Sequence, residues 1–347
     1  VLKQAILINR GVSFHPINQK ENLMELGEIL RINLLSPMVL AFVLGIIATL
    51  VQSDLDIPDQ VYTIITVYLL FAIGLKGGFD LARSPLTNFW GAAAITVFMG
   101  AGISAWSYTI LRKLGRLEVA DAAAIALHYS AVSSVTLSAC ISLLNTINEP
   151  FEGFMPTMYT FMELPGIAMA LYIATSRMGN SGSMTQWQVI KSALSGKGFL
   201  LLGGGVLIGL ISGESGYKSV SPFFVDLFPG ILSLFLLEMG MGVGKQIKFI
   251  RKMPLFLIGF AIIMPLIHGT MALFLCRMIG LSMGGAIILA TIAASSSYIT
   301  APATARASLP SANPLYYLTM SLVITFPFNL TIGLPIYVQL ANLIYGV

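Results

Sequence analysis

The sequence predicts an all-α integral membrane protein: ten transmembrane helices in a five-plus-five inverted repeat, two of them interrupted. Three observations predict it. Of 347 residues, 56% are hydrophobic and only 10% are charged, where an ordinary soluble domain carries about 25% charged residues. The apolar residues gather into segments of a length that suits a bilayer at 1.5 Å rise per residue. Two of these segments, in corresponding places of the two halves, hold serine clusters where a spanning helix would be continuously apolar.

Residues 1–33 form an N-terminal tail in which Lys3, Arg10, Lys20, Glu21, Glu25, Glu28 and Arg31 alternate with Leu and Ile. Leu23 to Leu35 is expected to be a short amphipathic helix at the interface. Valine as first residue reads as a trimmed start, and no apolar stretch with a small-residue cleavage site marks a signal peptide. Ten apolar segments follow, at roughly 34–52, 57–76, 88–112, 119–145, 154–177, 193–212, 222–245, 254–279, 281–309 and 314–344. The longest polar break, 178–192, contains Gly179-Asn-Ser-Gly-Ser183 and reads as a linker between a first repeat at 34–177 and a second at 193–347.

The halves resemble each other. Gly74-Leu-Lys-Gly-Gly78 ends segment 2, and Gly240-Met-Gly-Val-Gly-Lys245 ends segment 7, 166 positions later. Ala131-Val-Ser-Ser-Val-Thr136 in segment 4 matches Ala293-Ala-Ser-Ser-Ser297 in segment 9 at an offset of 162. Thr160-Phe161 and Thr325-Phe326, 165 apart, are each followed closely by proline. Five spans per repeat oblige the second repeat to insert upside-down, about a pseudo-two-fold axis in the membrane plane.

The centre of segment 9 reads Ala293-Ala-Ser-Ser-Ser-Tyr-Ile-Thr-Ala-Pro-Ala303. Pro302 lacks an N–H, and the residue before a proline disfavours the α region, so a break is expected there. Backbone freed at membrane depth survives only where protein or a water-filled cavity satisfies it. One such segment could be a small-residue packing surface; a second, in the matching place, favours a solute site. Two half-helix N-termini with hydroxyls beside them suit a small singly charged oxyanion, and unwound carbonyls suit Na+. The candidates are Ser133, Ser134 and Thr136 with Ser295, Ser296, Ser297 and Thr300.

Ionisable residues inside spans are functional candidates by default. They are Glu163, two residues before Pro165, with Glu238, His128 and His268. For Glu163 a structural carboxyl near the proline is the competing reading, and for the histidines a packed neutral ring. The glycines at 240, 242 and 244 follow no strand and read as close helix packing, not a nucleotide loop.

Other function classes find no support. Net charge is +4 without a polybasic block, so nucleic acid is not an expected partner. Cys140, Cys276 and the three histidines have no metal-ligand or redox spacing, and catalytic fingerprints are missing, so neither an enzyme nor a bound cofactor is expected. Loops between segments 3–4, 5–6 and 7–8 carry Arg112, Lys113, Arg116, Arg177, Lys191, Lys245, Lys248, Arg251 and Lys252, which places that side in the cytoplasm and both termini outside.

Ile73-Gly-Leu-Lys-Gly-Gly78, Ala131-Val-Ser133 with Thr136, Phe161-Met-Glu-Leu-Pro165, Met239-Gly-Met241, Ile292-Ala-Ala-Ser-Ser-Ser297, Ala305-Arg-Ala307 and Leu309-Pro-Ser-Ala-Asn-Pro314 occur in order over about 34–344. In these the chain resembles the sodium-dependent bicarbonate transporters of the SbtA type. The resemblance implies ten spans in an inverted repeat, a homotrimer in a bacterial-type plasma membrane, inward transport of bicarbonate with Na+, and a PII-like cytoplasmic regulator. It puts substrate and ion contacts at Ser133, Ser134, Thr136 and Ser295 to Ser297. The chain departs from the family's pattern at several places. Tyr298 stands where the family usually has aspartate, and a phenol with an ordinary pKa near 10 does not balance a cation at neutral pH. Ser134-Val135 replaces Gly-Ser, a proline pair is reduced to Pro302-Ala303, and the loop between segments 5 and 6 is short. Glu163 or His128 is the expected substitute coupling group if transport is linked to H+, with Tyr298 as a gating residue. A small-anion channel and a non-transporting solute sensor are the rival classes.

Overall fold

The computed structural model describes residues 26–83, 88–178, 191, 195, 197–298 and 300–346. The N-terminal tail before residue 26 and nearly all of the 178–192 linker lie outside the described residues. Among the described residues there is helix and no strand. In order the helices are α1 (Leu26–Leu34), α2 (Pro37–Leu50), α3 (Asp59–Arg83), α4 (Phe89–Lys113), α5 (Val119–Ser130), α6 (Ser134–Thr146) and α7 (Met158–Met178). There follow α8 (Lys197–Ser221), α9 (Phe228–Gln246), α10 (Leu255–Met278), α11 (Met283–Ala294), α12 (Thr300–Ser308) and α13 (Pro314–Tyr345).

Helix occurs in each predicted apolar segment, but among the described residues six stretches meet the length and apolarity of a span: Asp59–Arg83, Phe89–Lys113, Val119–Thr146, Leu200–Lys252, Leu255–Met278 and Pro314–Tyr345. The bent pair α1–α2, turning by 59°, makes a seventh when taken as one span. Residues 26–34 are more than an interfacial helix. Ile29 and Asn33 are buried, and Asn33 Nδ2 donates to the Leu330 carbonyl at 2.8 Å. The sixth segment is longer than its sequence suggests and turns at Gly213, whose φ of 59° is left-handed and favours glycine. Helix α13 is widened by π turns at Thr319–Thr325 and Asn329–Gly333.

The helices form two packing groups. In the first, α3 lies along α8 and α2 along α9, so the second segment of each half packs on the first segment of the other. Glycine makes both approaches possible. A Cβ on Gly74, Gly78 or Gly209 would fall 2.1–2.3 Å from a carbonyl oxygen across the α3–α8 contact, and one on Gly45 or Gly240 would fall 2.0 Å from one across α2–α9. Small residues are what let helix backbones touch where lipid removes any hydrophobic drive for association. The second group holds α4, α5–α6, α7, α10, α11–α12 and α13. It meets the first where α3 touches the turn at Met155–Thr157 and α9 touches the first π turn of α13.

Carboxylates pin the outer ends of the broken segments. Glu152 accepts from the Ser282 N–H and Oγ, each at 2.7 Å, at the start of α11. Asp121, in the first turn of α5, accepts the Asn313 N–H at 2.6 Å, and Asn313 caps α13. Glu149, in the loop with Glu152, has its carboxyl pKa raised by burial, and the Gly284 N–H partly opposes the shift. Replacing Glu152 with alanine strips α11 of two charge-assisted bonds and lowers stability by about 1–3 kcal/mol. Thermal melting in detergent reads the loss, and an unchanged melting temperature would show that the cap is idle.

Candidate functional site

The two helix breaks cross each other in the core of the second group. At the first, α5 ends at Ser130, Ala131 turns extended (φ −85°, ψ 134°), and Ser133 caps α6. At the second, α11 ends at Ala294 and Ser295 turns extended (φ −76°, ψ 168°). Pro302 does not make this break. It sits in the first turn of α12, where a helix needs no N–H from it. The freed backbone finds its partners across the crossing. Ser133 N–H donates to Ser295 Oγ at 2.9 Å, and Ser297 N–H donates to the His128 carbonyl at 2.8 Å.

The hydroxyls fix both ends. Ser133 Oγ accepts from Thr136 N–H at 3.2 Å and from Thr136 Oγ1 at 3.0 Å. Ser295 Oγ donates to the Ile292 carbonyl at 2.8 Å while accepting from Ser133. Ser296 Oγ donates to Ser321 Oγ at 2.8 Å on α13. Ser134 opens α6, is buried, and offers its carbonyl to Ser138 Oγ. Thr300 opens α12.

The structure thus brings Ser133, Thr136, Ser295, Ser297 and His128 into one hydrogen-bonded unit, but His128 joins by its carbonyl. Its ring faces elsewhere: Nδ1 lies 2.7 Å from the Ala124 carbonyl, which makes Nδ1 the protonated nitrogen, and the ring stacks on Tyr317 at 4.5 Å. Tyr298 reaches toward Ser133 without a hydrogen bond of ordinary geometry and rests on Phe326 at 5.0 Å. Glu163 is buried at 3% exposure on α7, which meets α5 through Gly166 against the Ser130 carbonyl. His268 takes a structural part, accepting the Trp106 indole N–H on Nε2 at 2.8 Å.

Sequence reasoning missed one row of residues. Ser321, Thr325 and Asn329 stand four apart on α13, all fully buried. Asn329 Nδ2 donates to the Ala294 carbonyl at 2.8 Å, capping the open end of α11, and its Oδ1 accepts from Tyr337 at 2.9 Å. Thr325 Oγ1 donates to the Ala261 carbonyl at 2.7 Å, so Tyr129, 2.6 Å away, is the donor in their contact. The spacing of four inside an apolar segment was the available signal.

Chemically, the crossing offers an anion the first-turn amides of α12 and those of α6 other than Thr136, whose N–H the Ser133 cap takes. It also offers hydroxyl and extended-backbone carbonyl oxygens. Neutral oxygens are the donor set a hard alkali cation accepts, so these residues fit Na+ by ligand type.

Comparison with known proteins adds one finding. The signature described as the Na+-dependent bicarbonate transporter superfamily matches residues 37–342. The search of curated proteins gave no match.

Proposed function

Because the chain belongs to the Na+-dependent bicarbonate transporter superfamily, we propose that it carries a small monovalent anion across the plasma membrane by alternating access, with bicarbonate as the anion and Na+ as the coupling ion. The observation that carries this reading is the reciprocal crossing of two helix breaks, each satisfying the other's backbone. Family membership and several long apolar helices make the protein integral to the membrane; ten spans, two five-helix repeats and both termini outside belong to the proposal.

Two contacts support the inverted repeat. Trp106 bonds His268 and Ser133 bonds Ser295, and the partners in each pair are 162 positions apart. Only residues beside a two-fold axis touch their own repeat-mates. The exchange of first and second segments between halves in the α2–α9 and α3–α8 contacts has the same symmetry.

In the cycle we infer, the glycine-packed group stays as frame and the group holding the crossing shifts against it. Ser133 and Ser295 hold the crossing closed, and the solute sits at the α6 and α12 N-termini among Ser134, Ser297 and Thr300. A homotrimer and a PII-like regulator complete the family-based reading. Since Tyr298 occupies the place of the family's carboxylate, Glu163 is the alternative charge for an H+-linked carrier, favoured by its burial next to Pro165.

Labelled bicarbonate uptake into proteoliposomes, under imposed Na+, K+ or pH gradients and corrected for CO₂ leak, tests the proposal. Uptake driven by Na+ alone is expected, and Glu163→Gln should leave its ion dependence intact. Loss of gradient dependence in Glu163→Gln would transfer coupling to that carboxyl. Channel-rate flux without counterflow, or binding without flux, would overturn the carrier reading in favour of a channel or a sensor.

A further inference from the structure

We propose that Lys76 and the crevice it lines form an outlying anion subsite, where the permeant anion is collected before it reaches the crossing. The inference rests on the transporter reading for its occupant. The crevice, about 100 Å³, opens between the two packing groups. Lys76 of α3, with Phe224 just before α9 and Phe228 at its start, makes one wall, and Ile141, Ser142 and Asn145 of α6 make the other. Ser142 lies eight residues beyond Ser134, about 12 Å along the same helix, so α6 runs from the crossing to the crevice wall.

A lysine within a membrane-spanning helix is expensive unless it serves a water-filled path or a partner. Lys76 has both. Its ammonium is 2.5 Å from Asp80, one turn on along α3, and both side chains are about one-third exposed. Asp80 is not part of the crevice wall. Of the ion pair only the positive member lines the crevice, which Ser142 and Asn145 line as well. An ion pair serving only helix stability would need neither the crevice nor the polar residues on the facing helix. The wall borders a π turn at Pro222–Asp226, an irregularity that recurs at functional positions.

Charge-selective labelling tests the subsite without requiring transport. Both native cysteines, Cys140 and Cys276, are buried, so a Ser142→Cys protein gives one accessible thiol in the crevice. Its modification rates by a sulfonate-bearing and a trimethylammonium-bearing methanethiosulfonate give an anion-to-cation ratio. Adding Lys76→Gln should lower that ratio about fivefold, the effect of removing a unit charge about 8 Å away in a water-like dielectric. Lys76→Arg should restore it, and high salt should lower it in the parent protein by screening. An unchanged ratio in Lys76→Gln, or in the parent across salt should that variant fail to fold, would overturn the subsite and leave Lys76 as half of an ion pair. In proteoliposomes Lys76→Gln should raise the bicarbonate KM several-fold with maximal rate kept. If the unmodified protein moves no bicarbonate under any gradient, the transport reading fails while the labelling ratio still decides Lys76. If it does move bicarbonate and neither ratio nor KM responds to Lys76→Gln, the subsite alone fails.

Discussion

Gly240→Ala separates α2 from α9 and costs about 3 kcal/mol or more, the upper range for overpacking a close contact. The added Cβ would stand 2.0 Å from the Phe42 carbonyl oxygen and 3.0 Å from the Ile46 nitrogen. Both are backbone atoms, so no side chain can rotate out of the way. Gly45 faces the same contact from the other side, 2.0 Å from the Leu237 carbonyl. Gly259 of α10 is the control, because a Cβ there meets nothing within 4 Å. Gly259→Ala should be neutral or slightly stabilising through helix propensity, by up to about 1 kcal/mol. Thermal melting and size-exclusion chromatography in detergent should show Gly240→Ala melting far below the parent. Equal melting of the two variants would mean that the helices do not approach as described.

Ser295→Ala should lower uptake roughly 5- to 150-fold while leaving the fold assembled. The substitution takes away the acceptor of the Ser133 N–H, which is buried. An orphaned buried amide costs about 1–3 kcal/mol. Felt as a bias against the solute-binding state, that is roughly a 5- to 150-fold loss of uptake. Ser133→Ala acts on the other half of the unit, since it removes the cap on Thr136 N–H. A cap is worth about 1 kcal/mol. Because both changes loosen one crossing, their effects should be less than additive in the double variant. Full uptake by Ser295→Ala would separate the crossing bond from transport.

The two helix breaks of the candidate site were legible in the sequence. The paired serine clusters located both breaks, and the offset of 162 paired Ser133 with Ser295, which proved to be in contact. His128 was legible only as a residue. Its main-chain role could not be read, because a carbonyl's partner depends on which strand of backbone passes it. Pro302 was misjudged for a related reason. Proline breaks a helix interior but is tolerated in a first turn, and only the start of α12 at Thr300 says which applies. Asn329, and the bonding role of Thr325 beyond its place in the repeat, escaped notice because their partners, the Ala294 and Ala261 carbonyls, lie 35 and 64 residues away.

By itself the sequence determined the class, the order of the helices, the positions of both interruptions and the resemblance to a bicarbonate-transporter family. All of these follow from local composition and from repetition along one chain. Tertiary structure decided which glycines carry helix crossings, how each break's amides find acceptors, and that Lys76 looks into a crevice between two packing groups. The reason is physical: a backbone group set free inside a membrane must be paired, and its partner is chosen by proximity in space, which hydropathy does not encode.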